Sequence, residues 1–207
     1  MNDPTVVVHR VNTVDMLRGV PAEFGAEIDL RAEGSRIVLH HDPLSGGEDL
    51  DRWLDHYRHG LLVLNIKEAG IEDEVLRRVR QRGIAACFLL DVEFPYLYRA
   101  SRAGERQIAV RFSEDEPIEL VDTYRSRVDW VWIDTNTRLP LDAAVVSHFT
   151  GLKTCLVCPE RWGRPGDIPA VQQQMDQLAF RPDAVMTSLS HAPEWHAWLS
   201  ASARTRP

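Results

Sequence analysis

The chain has 207 residues, of which 44% are hydrophobic, and a formal net charge of −7 at pH 7. This composition supports a buried core, so we expect residues 1–207 to form a single domain with a loose tail at 200–207. The negative charge argues against an electrostatic nucleic-acid binder. No apolar run approaches the about 20 residues that span a bilayer, and we therefore expect no membrane insertion.

The first residues and the cysteines indicate a compartment. The opening stretch MNDPTVVVHR lacks the basic start and the long apolar segment of a secretory signal. Three cysteines are too few, and odd in number, for a disulfide framework. We expect a cytoplasmic protein in which Cys155 and Cys158 are buried packing residues rather than a redox pair or half of a zinc site.

Short apolar runs alternate with helical periods along the whole chain. The runs predict strands at 5–10, 26–31, 36–41, 61–67, 85–92, 107–112, 129–135, 153–158 and 183–189. The periods predict helices at 14–24, 48–60, 71–83, 94–104, 118–127, 141–151 and 168–180.

This alternation predicts the fold class. Runs 61–67 and 85–92 are almost wholly apolar, as in a parallel sheet that is covered on both faces. Repeated strand–helix units indicate an α/β protein, either a closed eight-stranded barrel or an open doubly wound sheet. No nucleotide-binding glycine motif follows a strand, and polar residues gather where the strands end. We therefore predict a small, irregular (β/α)8 TIM-type barrel, with 26–31 and 36–41 as one interrupted segment or as a strand and its extension.

Imidazoles and carboxylates collect at the ends of the first predicted strands. The stretches are VVVHR at 6–10, AEIDLR at 26–31 and IVLHHD at 37–42. Imidazoles transfer protons at neutral pH. Carboxylates two residues apart on a strand share a face and can hold a hard cation. A divalent ion between two histidines suits the cleavage of a phosphodiester.

The order and spacing of these stretches resemble the glycerophosphodiester phosphodiesterase family, within the phospholipase C-like phosphodiesterases. The family has a strand that ends His-Arg-Gly, then Glu-Asn-Thr, Glu-x-Asp and Val-x-x-His-Asp. Here the matching stretches are VVVHRVNT and AEIDLRAEGSRIVLHHDPL. The resemblance implies a TIM-type barrel and a phosphodiesterase activity that depends on Mg²⁺ or Ca²⁺.

The resemblance also implies roles for individual residues. His9 and His41 correspond to the general base and acid of the family, or to its nucleophile and acid, and Asp42 would orient the His41 imidazole or support the loop. Arg10 and Lys67 correspond to the cations that contact the phosphate.

The metal ligands implied by the resemblance are Glu27 and Asp29, and here the chain departs from the family. The third metal carboxylate of the family lies two residues before the lysine, where this chain has Asn65. An amide oxygen can ligate a hard cation but carries no charge, so we expect weak binding of Mg²⁺ or Ca²⁺. The glycine of the first motif is also replaced, by Val11.

Three residues near the ends of later predicted strands complete the set. Arg111 is a further candidate phosphate-binding cation, since a strand end in a barrel faces the mouth. Asp134 would line the site or cap a helix. Trp132 is in phase with Asp134 on its strand and would line the pocket or pack in the core.

Three functions remain open at this point. The first is a phosphodiesterase acting on a small phosphodiester, by hydrolysis or by cyclisation through a neighbouring hydroxyl. The second is a lysine-dependent barrel like the sugar-phosphate aldolases, with Lys67 forming the Schiff base. The third is a non-catalytic barrel that binds a phosphorylated ligand, which Asn65 keeps open. The sequence does not indicate an oligomeric state.

Overall fold

The computed structural model describes residues 4–203, and the side chains up to residue 201. These residues form two compact units, one of residues 7–108 and one of residues 4–6 with 109 onward. Among the described residues, no helix is long and apolar enough to cross a membrane.

The unit of residues 7–108 contains the end of β1 and the next five strands. Its strands are β1 (Thr5–Val8), β2 (Gly25–Glu33), β3 (Arg36–Leu39), β4 (Glu48–Asp49), β5 (Leu62–Ile66) and β6 (Cys87–Leu90). Its helices are α1 (Val14–Arg18), α2 (Leu50–Leu54), α3 (Glu72–Gln81) and α4 (Phe94–Arg102). Strand β2 pairs in parallel with β1 and β5, and β5 pairs in parallel with β6. The carboxyl ends of these four strands therefore lie at one edge.

A hairpin extends this sheet. Glu33 pairs with Arg36, so the antiparallel strands β2 and β3 are joined by a two-residue turn. The first turn residue, Gly34, has φ of 61°, a conformation that glycine adopts without strain. The segment that follows β3 carries His41 back toward the carboxyl edge of β2, where His40 N donates to Asp29 O at 3.1 Å. Strand β3 is thus an extension of the sheet and not a further parallel strand.

The second unit repeats parallel strand–helix units. Its strands are β7 (Ala109–Phe112), β8 (Trp130–Ile133), β9 (Lys153–Val157) and β10 (Ala184–Thr187), each paired in parallel with the next. Its helices are α5 (Ile118–Tyr124), α6 (Ala143–Ser147), α7 (Ile168–Gln177) and α8 (Ala192–Ala203), and two 3-10 helices cover Pro159–Trp162 and Pro165–Asp167.

The predicted strands and helices are all present, and their bounds are shorter except for β2, which is longer than the predicted 26–31. Four elements have no counterpart in the sequence prediction: the two-residue strand β4, helix α8 and the two 3-10 helices. The predicted loose tail is wrong for residues 200–203, which continue α8, and residues 204–207 lie outside the described residues.

The core has the composition expected of a covered parallel sheet. Every residue of β5 and β6 is buried. Cys87, Cys155 and Cys158 are buried free thiols, so the prediction of packing cysteines is confirmed.

Candidate active site

The centre of the candidate site is one face of β2. Glu27 and Asp29 are two residues apart on the strand, so their side chains share this face, and they are 1% and 0% exposed. Glu27 Oε2 accepts a hydrogen bond from the backbone N–H of Arg10 at 2.7 Å, and Glu27 Oε1 accepts one from Asn65 Nδ2 at 2.8 Å. Asn65 reaches Glu27 because β5 lies beside β2 and places Asn65 opposite Asp29.

Asp29 is held from the loop after β1. Asn12 Nδ2 donates to Asp29 Oδ2 at 2.8 Å, and Asn12 Oδ1 accepts from the Asp29 backbone N–H at 2.9 Å. Two cations lie close to the carboxylate, Lys67 Nζ 3.4 Å from Oδ1 and Arg10 Nε 3.8 Å from Oδ2. Asn12 had no role in the sequence prediction, although it is the asparagine that remains of the Glu-Asn-Thr motif.

Lys67 joins a second carboxylate to the site. Its Nζ lies 3.6 Å from Asp91 Oδ2, at the end of β6. Asp91 and Arg10 both adopt left-handed backbone conformations, with φ of 59° and 54°. Residues other than glycine rarely adopt this conformation, and such strain tends to accumulate at functional sites. The family motif has a glycine after the arginine, where this chain has Val11.

The two histidines predicted for proton transfer lie in different surroundings. His9 follows β1, is 15% exposed, and places Nε2 3.9 Å from Glu27 Oε2. His41 lies in the loop after β3, is 40% exposed, and places Nδ1 2.8 Å from Asp42 Oδ1. An imidazole with Nδ1–H bound to a carboxylate presents Nε2 for proton exchange.

A groove of about 750 Å³ opens beside His41. Arg10, Asn12 and Asp42 line it together with the apolar side chains of Met16 and Leu39. The groove joins the loop after β1 to the loop after β3, and three predicted site residues line it, Arg10, His41 and Asp42.

The pKa values of Glu27 and Asp42 are shifted in opposite directions. Burial, followed by the charge of Asp29, raises the pKa of Glu27 to about 7, although the hydrogen bonds from Asn65 and Arg10 act in the opposite direction. At the surface, the hydrogen bond with His41 holds the pKa of Asp42 below its usual value.

The residues of β2 and β5 fit a hard cation. Asn65 Oδ1 is buried and accepts no hydrogen bond from any residue in the described range, whereas Asp29 Oδ1 lies 3.4 Å from the Lys67 ammonium. Buried polar atoms are rarely left without a partner unless an ion or water satisfies them. Two carboxylates and an amide oxygen are ligands of the type that Mg²⁺ and Ca²⁺ prefer. Within residues 4–203, no group of three or more imidazole, thiol or carboxylate side chains is arranged to hold a metal.

The remaining predicted residues lie in the second unit. Arg111 forms an ion pair with Asp134, and Trp132 Nε1 lies 3.3 Å from Asp134 Oδ1. Asp134 and Trp132 are buried. The structure thus brings these three side chains together. Arg111 is paired with a carboxylate, as Arg10 and Lys67 are, and its role as a phosphate-binding cation stays a prediction.

Comparison with known proteins identifies the fold. A glycerophosphodiester phosphodiesterase from Agrobacterium tumefaciens has a TM-score of 0.64 at 15% identity, covering 96% of this chain and 99% of that chain. A glycerophosphoryl diester phosphodiesterase from Parabacteroides distasonis has a TM-score of 0.66 at 12% identity, covering 97% and 87%. An Oleispira antarctica phosphodiesterase, solved with the product sn-glycerol-3-phosphate, has a TM-score of 0.64 at 16% identity, covering 96% and 97%.

The chain has the fold of these phosphodiesterases. The predicted fold class and the predicted resemblance are therefore confirmed at the level of the fold. No protein-family model and no curated protein sequence matched the chain.

Proposed function

We propose that this protein is a metal-assisted phosphodiesterase that acts on a small phosphodiester. The observation that carries the proposal is Asn65 Oδ1, a buried oxygen that accepts no hydrogen bond within the described residues, beside the buried carboxylates of Glu27 and Asp29. Arg10 and Lys67 lie beside them and supply positive charge for a phosphate. The shared fold with glycerophosphodiester phosphodiesterases supports the same reaction class.

In this proposal Glu27, Asp29 and Asn65 hold Mg²⁺ or Ca²⁺. Such an ion, when bound, neutralises charge on the non-bridging phosphate oxygens. The amide of Asn65 is neutral and attracts a cation less strongly than a carboxylate would, so we propose that the cation is weakly bound.

The two histidines divide the proton transfers. His41 borders the groove and has its Nδ1 bound to Asp42, so its Nε2–H protonates the departing alkoxide. His9 accepts the proton of the attacking hydroxyl, with Glu27 near its Nε2 to balance the imidazolium charge. The attacking hydroxyl belongs either to water or to a neighbouring alcohol of the substrate, which gives a cyclic phosphate.

The test is a phosphodiester assay resolved by ³¹P NMR. Protein stripped of metal with EDTA is incubated with glycerophosphodiesters, without and with added Mg²⁺ or Ca²⁺. Turnover that requires the ion and is lost in Glu27→Ala/Asp29→Ala supports the proposal. The spectrum separates a phosphomonoester product from a cyclic one. The absence of turnover under every condition would overturn the proposal.

One observation favours a second function, the non-catalytic binding of a phosphate ester. Asn65 Nδ2 donates to Glu27 Oε1 at 2.8 Å and Lys67 Nζ lies 3.4 Å from Asp29 Oδ1, so these side chains themselves offset part of the negative charge that a cation would balance. Phosphate-ester binding by calorimetry, with no turnover and no metal dependence, would support it. The aldolase alternative has less support, because Lys67 forms ion pairs with Asp29 and Asp91, whereas a Schiff-base lysine works in an apolar pocket or beside another cation.

A further inference from the structure

A third residue on the site face of β2 has no assigned role. Side chains alternate along a strand, so Arg31 follows Glu27 and Asp29 on the same face. Arg31 is half-buried, and its guanidinium is turned toward main-chain atoms rather than toward a carboxylate. We propose that Arg31 is a positioning residue that fixes the His41 and Lys67 loops relative to each other.

The contacts of Arg31 join two loops. Nε and Nη2 donate to the carbonyl oxygen of His41 at 3.1 and 2.8 Å. Nη1 donates to the carbonyl oxygen of Lys67 at 3.1 Å. One guanidinium therefore binds the main chain of the proposed acid and the main chain of the proposed phosphate-binding cation.

Both carbonyls that Arg31 binds lie beyond the ends of their strands. Strand β3 ends at Leu39 and β5 ends at Ile66, so His41 and Lys67 are outside the regular strands. The planar fork of arginine carries five donors in fixed directions and can reach two carbonyls at once, whereas the ammonium of lysine is a single point. Small displacements of reacting groups cost large factors in rate, so this contact sets how well the site is assembled.

The inference rests on the proposed function, and two diesters test it. A diester with an alkoxide leaving group needs a general acid, whereas one with a nitrophenolate leaving group does not. In Arg31→Gln, we expect kcat/KM to fall about 100-fold for the alkyl diester and about 10-fold for the nitrophenyl diester. The kcat/KM of Arg31→Lys should lie between the values for Arg31→Gln and the wild type. Equal losses for the two diesters, or no loss, would overturn the inference.

The control for charge is Arg77→Gln, on the exposed face of α3, where the arginine pairs with Glu74. Thermal unfolding of each variant checks that the fold is intact.

A second measurement does not depend on activity. Amide hydrogen exchange in loops 40–44 and 67–70 should be at least about 10-fold faster in Arg31→Gln than in Arg77→Gln, because the clamped carbonyls lose their donors. If the wild type cleaves neither diester, the proposed function fails. Faster exchange in these loops of Arg31→Gln would still support the positioning role of Arg31. Unchanged exchange would overturn the positioning role whatever the activity.

Discussion

Asn65 donates its side-chain N–H to Glu27 Oε1 at 2.8 Å while its own carbonyl oxygen is buried and accepts no hydrogen bond within the described residues. The same amide therefore does two things. Its nitrogen donates to a buried carboxylate, and its oxygen is the candidate ligand of the proposed cation. A carboxylate at this position could ligate a cation but could not donate a hydrogen bond to Glu27.

Asn65→Asp should therefore bind divalent ions more tightly and fold less stably without them. A third carboxylate adds charge to the ligand set, and we expect Mg²⁺ or Ca²⁺ affinity to rise at least about 10-fold. In metal-free protein the new charge faces Glu27 without the hydrogen bond, so the melting temperature should fall. Calorimetric titration and thermal unfolding measure the two effects.

The matched control is Gln81→Glu, which adds the same charge at an exposed position at the end of α3. It should change neither quantity. Unchanged metal affinity in Asn65→Asp would remove residue 65 from the ligands of the site.

Glu27 predicts a pH dependence of stability in metal-free protein. Burial raises its pKa from 4.5 to about 7, so the folded state favours the protonated form. The stabilisation is complete below pH 4.5 and is lost as the pH rises through about 7. Melting curves of the wild type should thus decline relative to Glu27→Gln across this interval, and saturating Mg²⁺ should reverse the decline. A constant difference between the two proteins would contradict the buried, protonated carboxyl.

The thiols predict a reactivity. Burial raises the pKa of both Cys87 and Cys158 to about 11, from an ordinary value of 9.0. The thiolate fraction at pH 8 is then reduced about 100-fold, and native protein should react with Ellman's reagent at least that much more slowly than protein in urea. Because the folded pKa values are raised, the contribution of these thiols to stability is lost as the pH rises from 9 toward 11. Rapid labelling of native protein would show that the thiols are accessible.

The sequence predicted those parts of the site that depend on strand alternation. Glu27 and Asp29 share a face because they are two apart, and Asn65 joins them because β5 pairs in parallel with β2. Lys67 is the first residue after β5. The sequence prediction assigned Asn65 and Lys67 from the family resemblance, and the parallel pairing of β5 with β2 explains why they lie beside Glu27 and Asp29.

The remaining contacts depend on loop geometry, which periodicity does not encode. Asn12 reaches Asp29 across a loop, and Asp91 reaches Lys67 through a left-handed turn. Arg111 was predicted as a phosphate-binding residue from its place near a strand end. Its ion pair with Asp134 depends on the register between β7 and β8, which the sequence pattern does not give.

The proton-transfer roles predict the effects of three substitutions. His9→Ala and His41→Ala should each lower turnover at least about 100-fold, because each removes one proton-transfer group. Asp42→Asn should cost less, about 10-fold, since it removes only the partner of His41 Nδ1. His56→Ala is the control, because His56 is exposed on the segment after α2 and should leave turnover unchanged. Steady-state kinetics on a confirmed diester, with melting curves to show an intact fold, make the comparison. Near-wild-type turnover in either His9→Ala or His41→Ala would show that the assignment of acid and base is wrong.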